Sequence, residues 1–156
     1  MEAIELAIKI VKILAERRKT LASAESCTGG FISSTITDIP GASKVFLGGI
    51  VTYSSEIKRK LLLINDDIFL QGVISREMAI AMANSVRNVF SSDYGVSTTG
   101  NLGPEPMEEK PVGLIYIGVN SEEITLSREL HLSGNREENK KLATLEALKL
   151  ILEVIA

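Results

Sequence analysis

The chain has 156 residues, of which 45% are hydrophobic and 24% are charged, and its formal net charge is −3. This balance is typical of a globular domain, and the acidic sign gives no support for a nucleic-acid-binding surface. One cysteine excludes an internal disulfide, and one cysteine with one histidine is too few for a zinc site. No apolar run reaches the roughly 18 residues of a membrane helix, and the acidic amino terminus is unlike a signal peptide. We therefore expect a cytoplasmic protein that binds neither nucleic acid nor membrane.

Hydrophobic periodicity predicts an alternation of helices and strands. In the first half of the chain we predict helices over 3–17, 30–37 and 55–63, strands over 20–24 and 45–53, and a loop through 65–67. A helix capped by Ser75 and running to 90 follows, then a strand over 94–99 and a loop over 100–111. The chain ends with two strands over 112–119 and 124–132 and a helix over 136–155. This order predicts one three-layer α/β/α domain over residues 1–156, with a mixed, mostly parallel sheet and a late antiparallel hairpin.

The turn over residues 24–30, AESCTGG, joins the first predicted strand to the second helix. Such a turn directs backbone N–H groups and the positive end of a helix dipole at one point, where an anion or oxyanion is stabilised. We expect Thr28 and the N–H groups of Gly29 and Gly30 to hold an oxyanion or a phosphate, with Glu25 also among the substrate-binding residues.

Three polar clusters follow predicted strands, and ligands collect at the carboxyl ends of strands in open α/β sheets. The first is the turn that contains Ser26, the second contains Tyr53 and Lys58, and the third contains Thr99. Ser26 is the leading nucleophile, and Lys58 is the best-placed base because burial and neighbouring positive charge lower the pKa of a lysine. His131 is expected away from these strand ends. Tyr53 is expected to orient Lys58 or relay a proton.

Each of these residues also has an ordinary structural interpretation. Ser26 or Thr28 can serve as a plain helix N-cap, Lys58 as an ordinary solvated helix lysine, and Cys27 as a small buried hydrophobic residue. The second glycine loop, which begins at Gly100, is equally a simple turn. Neither glycine-rich turn matches the Walker phosphate loop or the dinucleotide fingerprint, so nucleoside triphosphate chemistry is not expected.

Taken together, these motifs resemble the CinA carboxy-terminal domain family. The resemblance rests on residues 24–30, 40–43, 48–58, 72–75, 99–104, 109–113 and 133–136, which occur in the family's order and at similar spacings over nearly the whole chain. Many relatives carry a further amino-terminal domain that resembles molybdopterin-binding proteins, which we do not find in this sequence.

The resemblance implies a nicotinamide-nucleotide amidohydrolase, which converts nicotinamide mononucleotide to nicotinate mononucleotide and ammonia without a metal or a cofactor. By position it implies Ser26 as nucleophile, Lys58 as its partner, and Tyr53 and Thr99 as further catalytic residues. Arg136 matches an arginine that we expect at the substrate's phosphate. Gly48, Gly49 and Gly100 complete the expected substrate-binding set, since glycines within or after strands indicate that a ligand or another backbone comes close.

One loop departs from the family pattern. The family usually has Gly-Ile-Ala-Gly-Pro followed by a glycine-rich stretch, whereas residues 100–107 read GNLGPEPM. This change leaves a second hypothesis open, namely a catalytically silent nucleotide-binding or interaction module of the same fold. Strand edges and apolar terminal helices leave room for a homo-oligomer.

Overall fold

The computed structural model describes residues 2–156, which form five strands and six α-helices. The helices are α1 (Ala3–Arg17), α2 (Phe31–Thr37), α3 (Ser55–Leu62), α4 (Asp66–Phe69), α5 (Arg76–Phe90) and α6 (Arg136–Ile155), and the strands are β1 (Leu21–Glu25), β2 (Phe46–Val51), β3 (Tyr94–Gly100), β4 (Leu114–Asn120) and β5 (Thr125–His131). A single 3₁₀ turn over Ala42–Lys44 precedes β2.

The five strands form one mixed sheet in the order β2-β1-β3-β4-β5. β1 pairs in parallel with β2 and with β3, whereas β4 is antiparallel to both β3 and β5. Four strands therefore run in one direction and β4 alone runs the other way. This confirms the mixed, mostly parallel sheet and the antiparallel hairpin.

Helices cover both faces of the sheet. α1, α2 and α6 pack together on one face, and α5 lies on the other, where α3 and α4 contact it. The larger core joins α1 and α6 to the sheet through residues such as Ile10, Leu14, Ile117 and Ile151. A smaller core around Met78 and Met82 of α5 lies on the other face. The three-layer α/β/α prediction is therefore confirmed.

Most predicted elements agree with the observed ones to within one or two residues, because their boundaries carry clear capping signals. The Ser75 side chain accepts a hydrogen bond from Met78 N and begins α5, and Asn135 with Glu138 forms a capping box at α6. The predicted loop over 65–67 was wrong, since residues 66–69 form the short helix α4. No helix among residues 2–156 is long and apolar enough to cross a membrane.

The connections of the sheet create a crevice between β1 and β3. The chain leaves β1 toward β2 on one side, and it leaves β3 toward β4 on the other. Open α/β sheets bind ligands where successive connections diverge in this way, outside the carboxyl ends of the strands. Ser26 follows β1 directly and Gly100 ends β3, so the predicted polar clusters lie at this point.

Candidate active site

Ser26 is held at the carboxyl end of β1 by backbone hydrogen bonds on both sides. Its N–H donates to Thr98 O at 3.0 Å, and the preceding carbonyl, Glu25 O, accepts from Thr52 N at 2.8 Å. The strand pairing therefore continues to the first residue of the turn. Ser26 is only 8% exposed, and its side chain lines a cleft.

Lys58 reaches the serine from α3. Its Nζ lies 3.2 Å from Ser26 Oγ and donates to Thr52 O at 2.9 Å. Ser54 caps α3 by accepting from Ile57 N at 3.2 Å, which places Lys58 one turn into the helix. Helical side chains lean toward the amino terminus of their helix, so Lys58 extends back toward the end of β2. The structure thus brings the predicted nucleophile and base together.

Burial changes the protonation of this lysine. Lys58 is 2% exposed, and the loss of solvation lowers the pKa of its ammonium below the ordinary value. No carboxylate among residues 2–156 lies within 4.0 Å of the Lys58 Nζ. The alternative interpretation of Lys58 as a solvated helix lysine is therefore wrong.

The cleft above the Ser26–Lys58 pair is small and partly apolar. It has a volume of about 150 Å³. A cavity of this size accommodates one six-membered aromatic ring, as benzene binding in a cavity of about 150 Å³ illustrates. Besides the pair, the lining comprises Cys27, Tyr53, Ser55, Val73, Ile74, Thr99, Gly100, Asn101, Leu102, Met107 and Arg136.

Tyr53 and Arg136 meet at the mouth of the cleft. Arg136 Nη2 donates to the Tyr53 hydroxyl at 2.9 Å, and Arg136 Nη1 donates to Gly103 O at 2.5 Å. Tyr53 is 64% exposed. We predicted that Tyr53 orients Lys58 or relays a proton, and in the structure its hydroxyl accepts from Arg136 and makes no hydrogen bond to Lys58. The Lys58 ammonium is oriented by Thr52 O.

Thr99 lines the cleft but its hydroxyl is engaged elsewhere. Thr99 Oγ1 donates to Val73 O at 2.5 Å, which ties the end of β3 to the segment before α5. This hydrogen bond helps to hold the cleft wall, and Thr99 itself lines the cleft. Gly100 lies against β4, where a Cβ atom would come within 2.7 Å of Ile115 Cα.

The loop over residues 101–113, which we call the strap, closes onto that same wall. The Glu108 carboxylate accepts hydrogen bonds from Val73 N at 2.9 Å and from Ile74 N at 2.8 Å. Lys110 Nζ donates to Ile74 O. The strap and Thr99 together hold the backbone that forms one side of the cleft.

Glu25 and Thr28 do not reach the cleft, which corrects their predicted role in substrate binding. The Glu25 carboxylate accepts from Thr28 Oγ1 at 2.7 Å, Ile32 N at 2.8 Å, Ser33 N at 3.0 Å and Ser33 Oγ at 2.6 Å. The first N–H groups of α2 are thus bound by the protein's own carboxylate. They are not free for a phosphate or an oxyanion.

The four remaining glycines also lie outside the cleft lining. A Cβ at Gly48 would be 2.8 Å from the Phe90 ring, and one at Gly49 would be 2.2 Å from Ser23 Oγ. The close approach predicted at Gly48 and Gly49 is therefore made by protein side chains and not by a ligand. Gly29 and Gly30 have φ of +58° and +102°, conformations that favour glycine, and they form the turn into α2.

Two other reactive side chains, Cys27 and His131, take no part in the Ser26–Lys58 pair. Burial raises the pKa of the Cys27 thiol to about 11, so this residue is a neutral packing group at neutral pH. His131 lies at the carboxyl end of β5, which is the same end of the sheet as Ser26, because β5 runs in the direction of β3. This placement is contrary to our expectation. Its ring bonds to Glu129 Oε2 at 2.7 Å and does not line the cleft.

Sequence reasoning missed the wall residues Val73, Ile74 and Met107. The first two belong to a motif that carried the family resemblance, but nothing in their apolar side chains indicates a binding site. Met107 belongs to the loop that departs from the family pattern. Their placement depends on contacts between segments about 35 residues apart, such as Val73 with Glu108.

The fold and cleft define a class of protein: a doubly wound α/β domain with a buried serine–lysine pair below a ring-sized cleft at the switch point of its sheet. The family model described as the CinA C-terminal domain matches residues 3–155. The chain belongs to the CinA C-terminal domain family.

Curated relatives are longer than this chain. It is 46% identical over 144 residues to a Caldanaerobacter subterraneus protein named for competence and damage induction, covering 91% of this chain and 35% of the relative. It is 40% identical over 148 residues to a CinA-like protein of Frankia casuarinae, covering 94% of this chain and 34% of the relative. The chain thus spans about a third of the length of these relatives.

Solved structures match over the whole fold. The competence/damage inducible protein CihA from Agrobacterium tumefaciens superposes with a TM-score of 0.95 at 29% identity, covering 100% of this chain and 97% of the other. A competence or damage-inducible protein from Enterobacter asburiae superposes with a TM-score of 0.96 at 24% identity, covering 100% of this chain and 99% of the other. The second likeness concerns the fold alone.

Proposed function

We propose that this protein hydrolyses the carboxamide of nicotinamide mononucleotide to give nicotinate mononucleotide and ammonia. One observation carries the proposal: the Ser26 hydroxyl lies 3.2 Å from a buried lysine amine on the floor of a cleft. A serine needs such a base to become a nucleophile at neutral pH. The resemblance to nicotinamide-nucleotide amidohydrolases supports the choice of an amide as substrate.

The protonation of Lys58 suits the role of base. When neutral, its nitrogen lone pair accepts a hydrogen bond from the Ser26 hydroxyl, while an N–H still donates to Thr52 O. Burial favours this neutral form by lowering the pKa of Lys58 from its ordinary value of about 10.4.

The volume of the cleft supports an aromatic carboxamide as the reacting part of the substrate. The cleft volume of about 150 Å³ accommodates a pyridine ring. Whole drug-sized ligands occupy pockets of about 300–1,000 Å³, so the ribose and phosphate of a nucleotide extend beyond this volume. They then reach the mouth of the cleft at Tyr53 and Arg136.

The reaction follows from these positions. Ser26 Oγ attacks the amide carbon while its proton moves to Lys58 Nζ. In this reaction the oxyanion accepts from the backbone N–H of Cys27, which donates to no backbone carbonyl among residues 2–156. This residue follows the nucleophile, as do oxyanion donors in other serine hydrolases.

Collapse of the tetrahedral intermediate breaks the C–N bond, and Lys58 returns the proton so that ammonia leaves. The product of this half-reaction is an ester between the nicotinate acyl group and Ser26 Oγ. Water then attacks the ester carbon with Lys58 as base, and the acid product leaves with Ser26 regenerated.

Ammonia release from nicotinamide mononucleotide by the purified chain tests the proposal, with nucleotide binding measured by calorimetry on the same sample. Release with saturation kinetics supports the amidohydrolase. Binding without release between pH 6 and 10 refutes it and supports the silent binding module. Under that second outcome, the residues that remain candidates for contact with the bound nucleotide are Tyr53, Thr99 and Arg136.

A further inference from the structure

Met107 leaves apolar surface exposed at the cleft. It is one of the residues that line the cleft, yet it is 52% exposed. Other apolar residues of the lining, such as Ile74 and Leu102, are buried. The thioether of methionine is at most a weak hydrogen-bond acceptor, so an apolar group of a ligand covers it favourably. Ligand pockets are lined mainly by apolar groups of this kind.

Met107 belongs to the tip of the strap, which we define as residues 106–109. The beginning of the strap is fixed by α6, since Asn139 Nδ2 donates to Leu102 O at 3.1 Å. Within the described part of the chain, the tip makes only two hydrogen bonds to residues outside the strap, and the Glu108 carboxylate accepts both. The position of Met107 therefore depends on the residue that follows it.

The turn at the strap tip has a backbone conformation that glutamate rarely adopts. Glu108 and Glu109 have φ of +53° and +60°, and Lys110 N donates to Met107 O at 2.8 Å across them. Positive φ at both central residues is what a type I′ turn requires, and such turns favour glycine and asparagine. These conformations persist only where the surrounding structure fixes them. The hydrogen bonds of the Glu108 carboxylate supply that constraint.

The backbone before α5 is shaped to receive this carboxylate. Val73 N and Ile74 N are successive groups and donate to its two oxygens at 2.9 Å and 2.8 Å. Gly72 has φ of +93°, and a Cβ there would lie 3.1 Å from Glu108 Oε1, so glycine leaves the room that the carboxylate needs. Because Val73 and Ile74 themselves line the cleft, the carboxylate fixes Met107 relative to the cleft wall.

We propose that Met107 is a specificity-determining residue whose side chain covers the aromatic ring of the bound carboxamide, and that Glu108 is the positioning residue that holds it there. This role rests on the proposed function and deepens it by assigning a contact for the ring. A thioether makes favourable contacts with aromatic rings and adapts to irregular gaps. The contact favours aromatic carboxamides over aliphatic ones, and the glycine-rich stretch of the family pattern offers no such side chain.

Binding of two ligands tests the contact with the ring. Nicotinamide mononucleotide contains the ring and ribose 5-phosphate lacks it, and Ser26→Ala is the background because it removes the proposed nucleophile. Calorimetry is expected to show that Met107→Ala weakens binding of the mononucleotide about fivefold and leaves that of ribose 5-phosphate unchanged. Met107→Leu keeps an apolar side chain and is expected to stay within about twofold of the background.

Glu108→Gln tests the positioning role. An amide places an NH₂ donor where the second carboxylate oxygen accepts, so one of the two N–H groups loses its acceptor. We expect the same loss of about fivefold for the mononucleotide, and no further loss when Met107→Ala is added, because Glu108 acts through Met107. Glu109→Gln is the matched control and leaves binding unchanged, since the Glu109 side chain makes no hydrogen bond or ion pair among residues 2–156.

The binding results do not depend on turnover, so they separate this role from the amidohydrolase reaction. In a chain that releases ammonia, Met107→Ala is expected to raise KM for nicotinamide mononucleotide about fivefold and to change kcat less than about twofold. Unchanged affinity of Met107→Ala for the mononucleotide, an equal loss for ribose 5-phosphate, or no binding of the mononucleotide overturns the ring contact. Equal affinities of Glu108→Gln and Glu109→Gln, or losses that add in the double variant, overturn the role of Glu108.

Discussion

Lys58 Nζ lies 3.2 Å from Ser26 Oγ, although the two residues are 32 positions apart in the chain. Two strand ends produce this contact. The Thr98 carbonyl of β3 holds the serine at the end of β1, and the carbonyl of Thr52, which directly follows β2, holds the lysine. The pair is therefore built from main-chain geometry, with Lys58 free to exchange its proton with the serine.

The first prediction concerns pH. Because burial lowers the pKa of Lys58, the neutral base forms as pH rises through that lowered value. We expect kcat/KM for ammonia release to fall about tenfold per pH unit on the acid side of that pKa and to level off above it. A kcat/KM that does not change with pH at any pH below about 10.4 at which the protein stays folded contradicts Lys58 as the base.

Lys58→Arg provides a companion to the pH profile. Arginine keeps a positive charge at every accessible pH, so it cannot accept the serine proton. The expected loss of kcat is about 10²–10⁴-fold. Lys60→Arg is the control, since Lys60 is exposed and pairs with Glu56 at 3.3 Å.

The second prediction concerns Glu25, whose carboxylate accepts four hydrogen bonds in the core. Glu25→Ala leaves Thr28 Oγ1, Ser33 Oγ and two helix N–H groups without this acceptor. We expect the free energy of unfolding in urea to fall by about 2 kcal/mol or more. Glu56→Ala on the surface is expected to change it by less than about 0.5 kcal/mol. Equal effects of the two variants rule out the internal role of Glu25.

The third prediction concerns Cys27, which adjoins the nucleophile but has a thiol pKa raised to about 11. At pH 7 roughly one thiol in ten thousand is ionised, and alkylation by iodoacetamide is expected to be far slower than that of free cysteine. We expect Cys27→Ala to retain at least about half of the parent kcat, because the reaction uses no thiolate. Inactivation of the parent at the rate of a free thiol contradicts this assignment.

The elements and the nucleophile were predictable because their signals are local. Ser75 and Asn135 cap their helices within three residues, and the order of strand, turn and glycine around Ser26 indicates a strand-to-helix junction. Lys58 was predictable from its place one turn into the helix that follows the second strand. The sheet then brings these two ends together because parallel strands end at the same edge.

The remaining site residues depend on contacts between distant segments. A carboxylate in a strand-to-helix turn faces either a ligand or the helix, and only the packed structure shows that Glu25 faces the helix. Gly48 is constrained by Phe90, more than 40 residues away, and Val73 is held by Glu108. Such contacts leave no local pattern, so the ligand interpretation of Gly48 and Gly49 was wrong and the strap was missed.

The most direct test of the account compares ammonia release from nicotinamide mononucleotide by the parent, Ser26→Ala and Ser34→Ala. Ser34 lies on the exposed side of α2 and serves as the matched control, and thermal melts verify that each variant is folded. We predict release by the parent and by Ser34→Ala, with a loss of about 10³-fold or more in Ser26→Ala. Release by folded Ser26→Ala at the parent rate would contradict the account.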